Sequence, residues 1–152
     1  MGNYFTENEA TDFAKLQELN NKQNWFKSLT QLDIRSTIDC SGLTHTDVPT
    51  YIEYKTRHMS LQRAREFKYI FIETDKMKEF NVLTRKHKGK IKRLFINFLK
   101  DATIIFNMNK PMTLQYLPNQ RINNVGYDEY QIQDRIGLDI NDALIIDNTN
   151  SN

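Results

Sequence analysis

The stretch PTYIEYKTR, residues 49–57, decides how this chain folds. Its opening proline fits the first position of a strand but not the middle of one, so residues 50–57 are predicted as a strand. Side chains two apart in a strand project from the same face, which groups Glu53 with Lys55 and turns Tyr54 to the other side. One face of this strand is therefore expected to be charged and the other to join the core.

The segment before this strand is expected to pair with it. Residues 28–41, SLTQLDIRSTIDCS, are rich in β-branched side chains and predict one strand or two short ones. Residues 42–48 then form the turn of a hairpin, which brings Asp39 alongside Glu53. Asp33 is the alternative acidic residue for this position.

Paired carboxylates at this place have a definite chemical use. Asp39 and Glu53, together with a backbone carbonyl, form an oxygen-rich site suited to Mg²⁺ or Mn²⁺. Phosphodiester hydrolysis needs a metal that lowers the pKa of the attacking water, and a cation such as Lys55 where negative charge develops. We therefore take Asp39, Glu53 and Lys55 as candidate catalytic residues, the first two as metal ligands.

The E-x-K pattern is short, and a simpler interpretation stands beside it. Charged residues that alternate along an exposed strand are common cross-strand partners. The chain also carries a second copy of the pattern, Glu66-Phe67-Lys68, in a polar and mixed segment. The first copy is favoured by its context, because a β-rich run and an acidic residue precede it.

Helices and further strands are expected around this hairpin. Thr6 and Glu9 make a capping box, which predicts a helix over about residues 7–21, and apolar spacing predicts another over residues 74–85. Residues 69–72 fit either a strand or a helix. Three more strands are predicted at residues 94–99, 103–108 and 113–117.

This order of elements favours an α/β or α+β fold in which a central mixed β-sheet is flanked by helices. We expect a single domain over residues 1–146 and a disordered tail over residues 147–152.

Residues 6–108 resemble the PD-(D/E)XK nuclease superfamily, in particular its small, resolvase-like members from phages and bacteria. The resemblance rests on Asp39, on Glu53-Tyr54-Lys55, and on an IE-x-x-K element formed by Ile72-Glu73 and Lys76. It implies a restriction-endonuclease-like core, in which a helix precedes a three-strand meander, a second helix and a further strand.

The resemblance also implies roles for particular residues and partners. An acidic residue of the first helix often assists the metal in this superfamily, and Glu9 or Glu7 matches it. Resolvase-like relatives act as dimers, so a homodimer is implied as well.

The distribution of charge predicts where DNA would bind. The net charge is only +2, but most basic residues lie between Arg57 and Arg93. Each phosphate that a cation neutralises adds affinity that does not depend on sequence. The candidate nucleic-acid-binding residues are Arg57, Lys76, Arg85, Lys86, Lys88 and Lys90.

Cysteine content and hydropathy indicate the cellular compartment in which the protein is expected. The single cysteine, Cys40, excludes an internal disulfide and favours a reducing compartment. No apolar run has the length of a membrane span, so no membrane partner is expected. The cytoplasm, or the host cytoplasm for a viral protein, is the expected location.

Two functions are compatible with these patterns. The first is a Mg²⁺-dependent DNA endonuclease, acting on branched or junction DNA because so small a core leaves little room for a sequence-reading domain. The second is a catalytically inactive DNA-binding or assembly protein on the same fold, of phage origin.

Overall fold

The computed structural model describes residues 7–33, 35–123 and 130–148, and these form three helices, nine strands and one 3-10 turn. The helices are α1 (Glu7–Gln23), α2 (Leu61–Phe67) and α3 (Thr74–Lys86), and the 3-10 turn is Ile140–Asp142. The strands are β1 (Phe26–Gln31), β2 (Cys40–Thr44), β3 (Pro49–Thr56), β4 (Tyr69–Glu73), β5 (Lys92–Phe98), β6 (Ala102–Asn107), β7 (Leu114–Asn123), β8 (Tyr130–Asp139) and β9 (Leu144–Asp147).

A six-stranded mixed sheet forms the centre of the molecule. Its strand order is β1-β2-β3-β5-β6-β9, and every neighbouring pair is antiparallel except β3 and β5, which are parallel. The predicted hairpin is confirmed, because β2 and β3 pair antiparallel with Cys40 opposite Ile52. The next step of this antiparallel register brings Asp39 level with Glu53.

The parallel pair explains why a long connection separates β3 from β5. Parallel neighbours need a crossover, since a tight turn reverses the direction of the chain. Here the crossover contains α2, β4 and α3. Of these, β4 pairs with β8, and β8 with β7, in a separate three-stranded antiparallel sheet.

The large sheet is buried on both faces. On the first face, which we call the α1 face, Leu16 and Leu19 of α1 pack against Ile52 and Tyr54 of β3. On the opposite face, which we call the α3 face, Phe80 of α3 joins a cluster that also includes side chains of the second sheet. These side chains are Ile70, Ile72 and Leu138.

The central strands are apolar because they face core on both sides. In β5 and β6, Phe95 and Phe106 project to the α3 face, while Ile96 and Ile105 project to the α1 face. Strands covered on both faces read as continuous apolar runs rather than as an alternation. The predicted fold class, a mixed sheet flanked by helices, is confirmed.

One element was not predicted, and one predicted boundary is wrong. The polar segment before Phe67, for which no element was predicted, forms α2, and the side chain of Ser60, just before this helix, accepts a hydrogen bond from the Arg63 amide. Asp147 was expected to begin a disordered tail, but it pairs with Ala102 at the end of β9, and residues 149–152 lie outside the described part.

In the described ranges, none of the helices has the length and apolar character that crossing a membrane requires.

Candidate functional site

Glu53 is the buried acidic residue at the centre of the site. It lies in the middle of β3, between β2 and β5, and its side chain projects to the α3 face. Only 8% of its surface is exposed. The E-x-K glutamate is therefore not part of a solvated strand face, and the interpretation as an exposed cross-strand partner is wrong for this residue.

Asp39 reaches Glu53, as the hairpin predicts. It immediately precedes β2, and its Oδ2 accepts a hydrogen bond from the backbone amide of Tyr54 at 3.1 Å. This bond fixes the Asp39 carboxylate over the middle of β3. The Asp39 carboxylate lies close enough to Glu53 for its negative charge to raise the pKa of that carboxyl group.

Burial next to a second carboxylate favours the protonated form of Glu53. Burial is the main cause that raises the pKa of Glu53 to about 9, and the negative charge of Asp39 adds to it, while the Lys76 ammonium opposes both. Among the described atoms, Glu53 Oε1 is buried and has no hydrogen-bond partner.

Lys76, in the first turn of α3, contacts the same pair. Its Nζ lies 3.3 Å from Glu53 Oε2 and donates a hydrogen bond to the carbonyl oxygen of Thr37. Burial opposes the charge of this ammonium, but Glu53 and Asp39 together raise the pKa of Lys76. The predicted contact of Lys76 with DNA stays a prediction, and in the structure its ammonium lies against Glu53.

The oxygens around the Lys76 ammonium suit a hard divalent cation. Within the described residues, no group of three or more His, Cys, Asp and Glu side chains converges. Mg²⁺ often binds through one or two carboxylates and keeps several waters, so Asp39 and Glu53 are sufficient protein ligands. Glu53 Oε1, which has no hydrogen-bond partner among the described atoms, could be a ligand of such an ion. The Lys76 ammonium would then have to move away from Glu53 Oε2.

The outer part of the site is a small polar cavity between the two sheets. Its volume is about 20 Å³, and Glu53, Lys55 and Lys76 are among the residues that line it. Lys55 is exposed as a residue, and partial desolvation, followed by the like charge of Arg57, lowers its pKa. The structure thus brings four of the predicted site residues, Glu53, Lys55, Arg57 and Lys76, to one cavity.

Arg57 is half-buried and bridges the two sheets. Its Nε donates to Asn97 Oδ1 at 2.8 Å, and its Nη2 donates to the carbonyl oxygen of Phe71 in β4 at 2.5 Å. Burial, with the charge of Arg135 added, lowers the pKa of Arg57 to about 10. Its hydrogen bonds are made to the protein, so a structural role accompanies the predicted contact with DNA.

The basic run at the end of α3 lies away from the carboxyl pair. Lys86 follows Lys76 by ten positions, which corresponds to about 15 Å along a helix. The four predicted DNA contacts in this run are all exposed. They are Arg85, Lys86, Lys88 and Lys90. His87 ties the run to β3, because its Nε2 lies 3.0 Å from Tyr51 Oη.

The rival acidic residues do not share this site. Asp33 lies in the turn after β1, where Arg35 hydrogen-bonds to it and lowers its pKa. Glu66, in the second E-x-K copy, is in α2 and pairs with Arg63 at 3.0 Å. The structure therefore selects Asp39 and the first E-x-K.

The metal role of Glu9 stays a prediction. Glu9 lies in α1, and its side chain, like that of Glu7, is outside the described part of the structure. α1 packs on the α1 face, whereas Glu53 projects to the opposite face. The acidic α1 residue seen to reach β3 is Asp12, which accepts a hydrogen bond from Thr56 Oγ1 at 2.6 Å.

Arg135 is a site residue that the sequence did not reveal. It lies in β8, directly opposite Glu73 of β4, and it lines the small cavity. No local pattern in the sequence marks it, because its place depends on pairing between strands more than sixty residues apart. Asn97, which orients Arg57, lies within an apolar strand. No local pattern marks it either, because its contact with Arg57 depends on the pairing of β5 with β3.

A larger cavity, of about 350 Å³, lies elsewhere. Trp25 and Leu144 are among the residues that line it. The lining contains two lysines and, among the described residues, a single acidic side chain, that of Asp142. It offers no carboxylate pair, so we assign the candidate chemistry to the smaller cavity.

Comparison with protein-family models, curated proteins and solved structures found no match to this chain. The functional argument therefore rests on the geometry around Glu53.

Proposed function

We propose that this chain is a metal-dependent DNA endonuclease that hydrolyses phosphodiester bonds. The observation that carries the proposal is the buried Glu53 carboxyl, which lies against Asp39 and has an oxygen without a partner among the described residues. A buried titratable group with a strongly shifted pKa and a specific charged partner, at a cleft, is typical of functional sites. The proposed ion is Mg²⁺ or Mn²⁺.

The topology supports the same proposal. α1 precedes the antiparallel meander β1–β2–β3, and α3 precedes β5, which is parallel to β3. This order resembles the core of PD-(D/E)XK nucleases, and the position of Asp39 immediately before β2 and of Glu53 within β3 supports the proposal. A fold alone does not determine a function, so the topology adds weight only together with the carboxyl pair.

Each residue has a distinct part in this chemistry. A divalent ion, when bound, would lower the pKa of a water and polarise the phosphoryl oxygen. Asp39 and Glu53 would hold that ion, with Tyr54 N–H orienting Asp39. Lys55 would supply positive charge beside the reacting phosphate, where negative charge increases in the transition state.

A cleavage assay with matched variants tests the proposal. Supercoiled and four-way-junction DNA would be incubated with Mg²⁺ or Mn²⁺, and Glu53→Ala, Asp39→Ala and Lys55→Ala compared with wild type. Loss of one charge-stabilising group typically lowers the rate by about 10²–10³-fold. We expect the Lys55 variant to fall in this range and the carboxylate variants to lose cleavage.

The second E-x-K copy provides the control. Glu66→Ala and Lys68→Ala remove the same residue types from α2 and from the position just after it, and they should cleave like wild type. If wild type cleaves no DNA in either metal, or if Glu53→Ala cleaves as fast as wild type, the proposal is wrong. Faster cleavage of the junction would support branched DNA as the substrate, and sedimentation would check the proposed homodimer.

One observation favours a second function. The Lys76 ammonium already supplies positive charge beside Asp39 and Glu53, and such a substitute for a metal suits an inactive nuclease fold that binds DNA or assembles with a partner. This alternative requires that DNA binding is the same in EDTA and in Mg²⁺, and that no cleavage occurs.

A further inference from the structure

Three cations from two different sheets meet at the small cavity. Lys55 and Arg57 come from β3 and its end, and Arg135 comes from β8 of the second sheet. Glu73, opposite Arg135 in the β4–β8 pair, lines the same cavity. Glu53 also lines the cavity and is in contact with a fourth cation, Lys76, so four cations and two carboxyl groups meet there.

The side chains of two of these cations have no partner among the described residues. Neither the Lys55 ammonium nor the Arg135 guanidinium makes a hydrogen bond or an ion pair there. Arg57 uses Nε and Nη2 for its two bonds and leaves Nη1 without an acceptor. Like charges held together without acceptors destabilise a fold, so their grouping calls for a ligand.

A buried donor lies beside them. Asn97 is fully buried, and its Oδ1 accepts from Arg57 Nε while its Nδ2 has no partner among the described atoms. Lys55 pairs directly with Asn97 in the parallel register of β3 and β5. Cations therefore line the cavity in excess of carboxyl groups, and a hydrogen-bond donor without a partner among the described atoms lies next to it. This combination suits the binding of an anion.

We propose that this cavity binds a phosphate group and that Arg135, supplied by the second sheet, is one of its direct contacts. A volume of about 20 Å³ has room for one water-sized atom, so one phosphoryl oxygen would enter while the rest of the group stays at the mouth. The planar guanidinium of Arg135 suits a tetrahedral anion because it donates two parallel hydrogen bonds.

The inference extends the proposed function, because the phosphate would belong to the DNA backbone next to the carboxyl pair. It does not require cleavage, and binding in EDTA therefore separates the two proposals. If the wild-type chain binds DNA through Arg135 but never cleaves it, the nuclease proposal fails and the phosphate site stands.

The test compares Arg135→Gln and Arg135→Lys with wild type. Binding to a duplex oligonucleotide would be measured in EDTA by fluorescence anisotropy over a range of salt concentrations. Losing one phosphate contact should lower the slope of log affinity against log salt by about 0.9. Arg135→Gln should show this loss together with weaker binding, and Arg135→Lys, which keeps the charge, should largely retain the slope.

Two controls exclude a general effect of charge or folding. Lys22→Gln removes one cation from α1, which covers the opposite face of the large sheet, and should leave affinity and slope unchanged. Arg135→Gln relieves repulsion among like charges, so its melting temperature should be no lower than that of wild type. A second arm titrates inorganic phosphate into wild type and into Arg135→Gln, and follows the backbone amide signal of Lys55, which lines the cavity, by NMR.

The outcomes are distinct. Weaker DNA binding of Arg135→Gln supports the site and assigns it to backbone phosphate, and a loss confined to inorganic phosphate supports it and assigns it to the free anion. Unchanged binding in both arms overturns the proposal. Equal losses in Arg135→Gln and Arg135→Lys with a lowered melting temperature also overturn it, because they indicate a structural role.

Discussion

The Glu53 carboxyl lies beside Asp39, in contact with Lys76, in the centre of a sheet that is covered on both faces. Ionising it in this place leaves two negative charges close together with little water. A glutamate would be unfavourable here in a purely structural protein, since a neutral residue of the same shape would fill the space. The unfavourable burial of the Glu53 carboxyl in the protein without a metal is therefore the property of this residue that indicates a functional site.

We predict that Glu53→Gln stabilises the protein without metal, and increasingly so as pH rises. The pKa of Glu53 in the folded chain, about 9, lies above the ordinary 4.5. Between these values the unfolded chain ionises while the folded chain stays protonated, so wild type loses stability as pH rises through this window. Glutamine does not titrate, and the gain should be on the order of a few kcal/mol by about pH 8.

Urea unfolding in EDTA at about pH 5 and about pH 8 measures this gain. Glu66→Gln, an exposed change in α2, should follow wild type at both values. A stability difference between Glu53→Gln and wild type that stays constant across this window would show that the Glu53 carboxyl ionises freely in the folded chain.

At the scale of elements, β3 joins the two halves of the site. Its hairpin with β2 was predictable, because proline, turn residues and strand alternation all occur within residues 42–57. This local pattern also predicted that Asp39 would reach Glu53. The pairing of β4 with β8 was not predictable, because it joins distant segments and no turn connects them, so Arg135 went unnoticed.

Arg57 is the residue through which β3 contacts the second sheet. We predict that Arg57→Ala lowers the free energy of unfolding by about 2–4 kcal/mol, because Asn97 Oδ1 and the Phe71 carbonyl both lose a charged donor. The relief of repulsion with Arg135 offsets part of this loss.

Chemical denaturation of Arg57→Ala and Arg85→Ala provides the comparison. Arg85 is exposed in the last turn of α3, and its replacement should change stability by less than about 0.5 kcal/mol. Equal effects of the two substitutions would mean that Arg57 does not connect the sheets.

At the scale of the whole molecule, the positions of the charged residues say more about binding than the net charge does. The net charge of +2 conceals a cation-lined cavity on the α3 face and a basic run at the far end of α3. The sequence indicated the run, because its residues are adjacent. It also predicted the mixed sheet and the acidic pair, but not that Lys76 would contact that pair, since this depends on how α3 packs.

The central claim is that Asp39 and Glu53 together bind a divalent cation. Crystals grown with Mn²⁺ and measured above its absorption edge test it most directly, through an anomalous difference map. We predict one peak at about 2.0–2.6 Å from carboxylate oxygens of both residues, with Lys76 Nζ displaced from Glu53. A map with no peak there, and with Lys76 still in contact with Glu53, would contradict the claim.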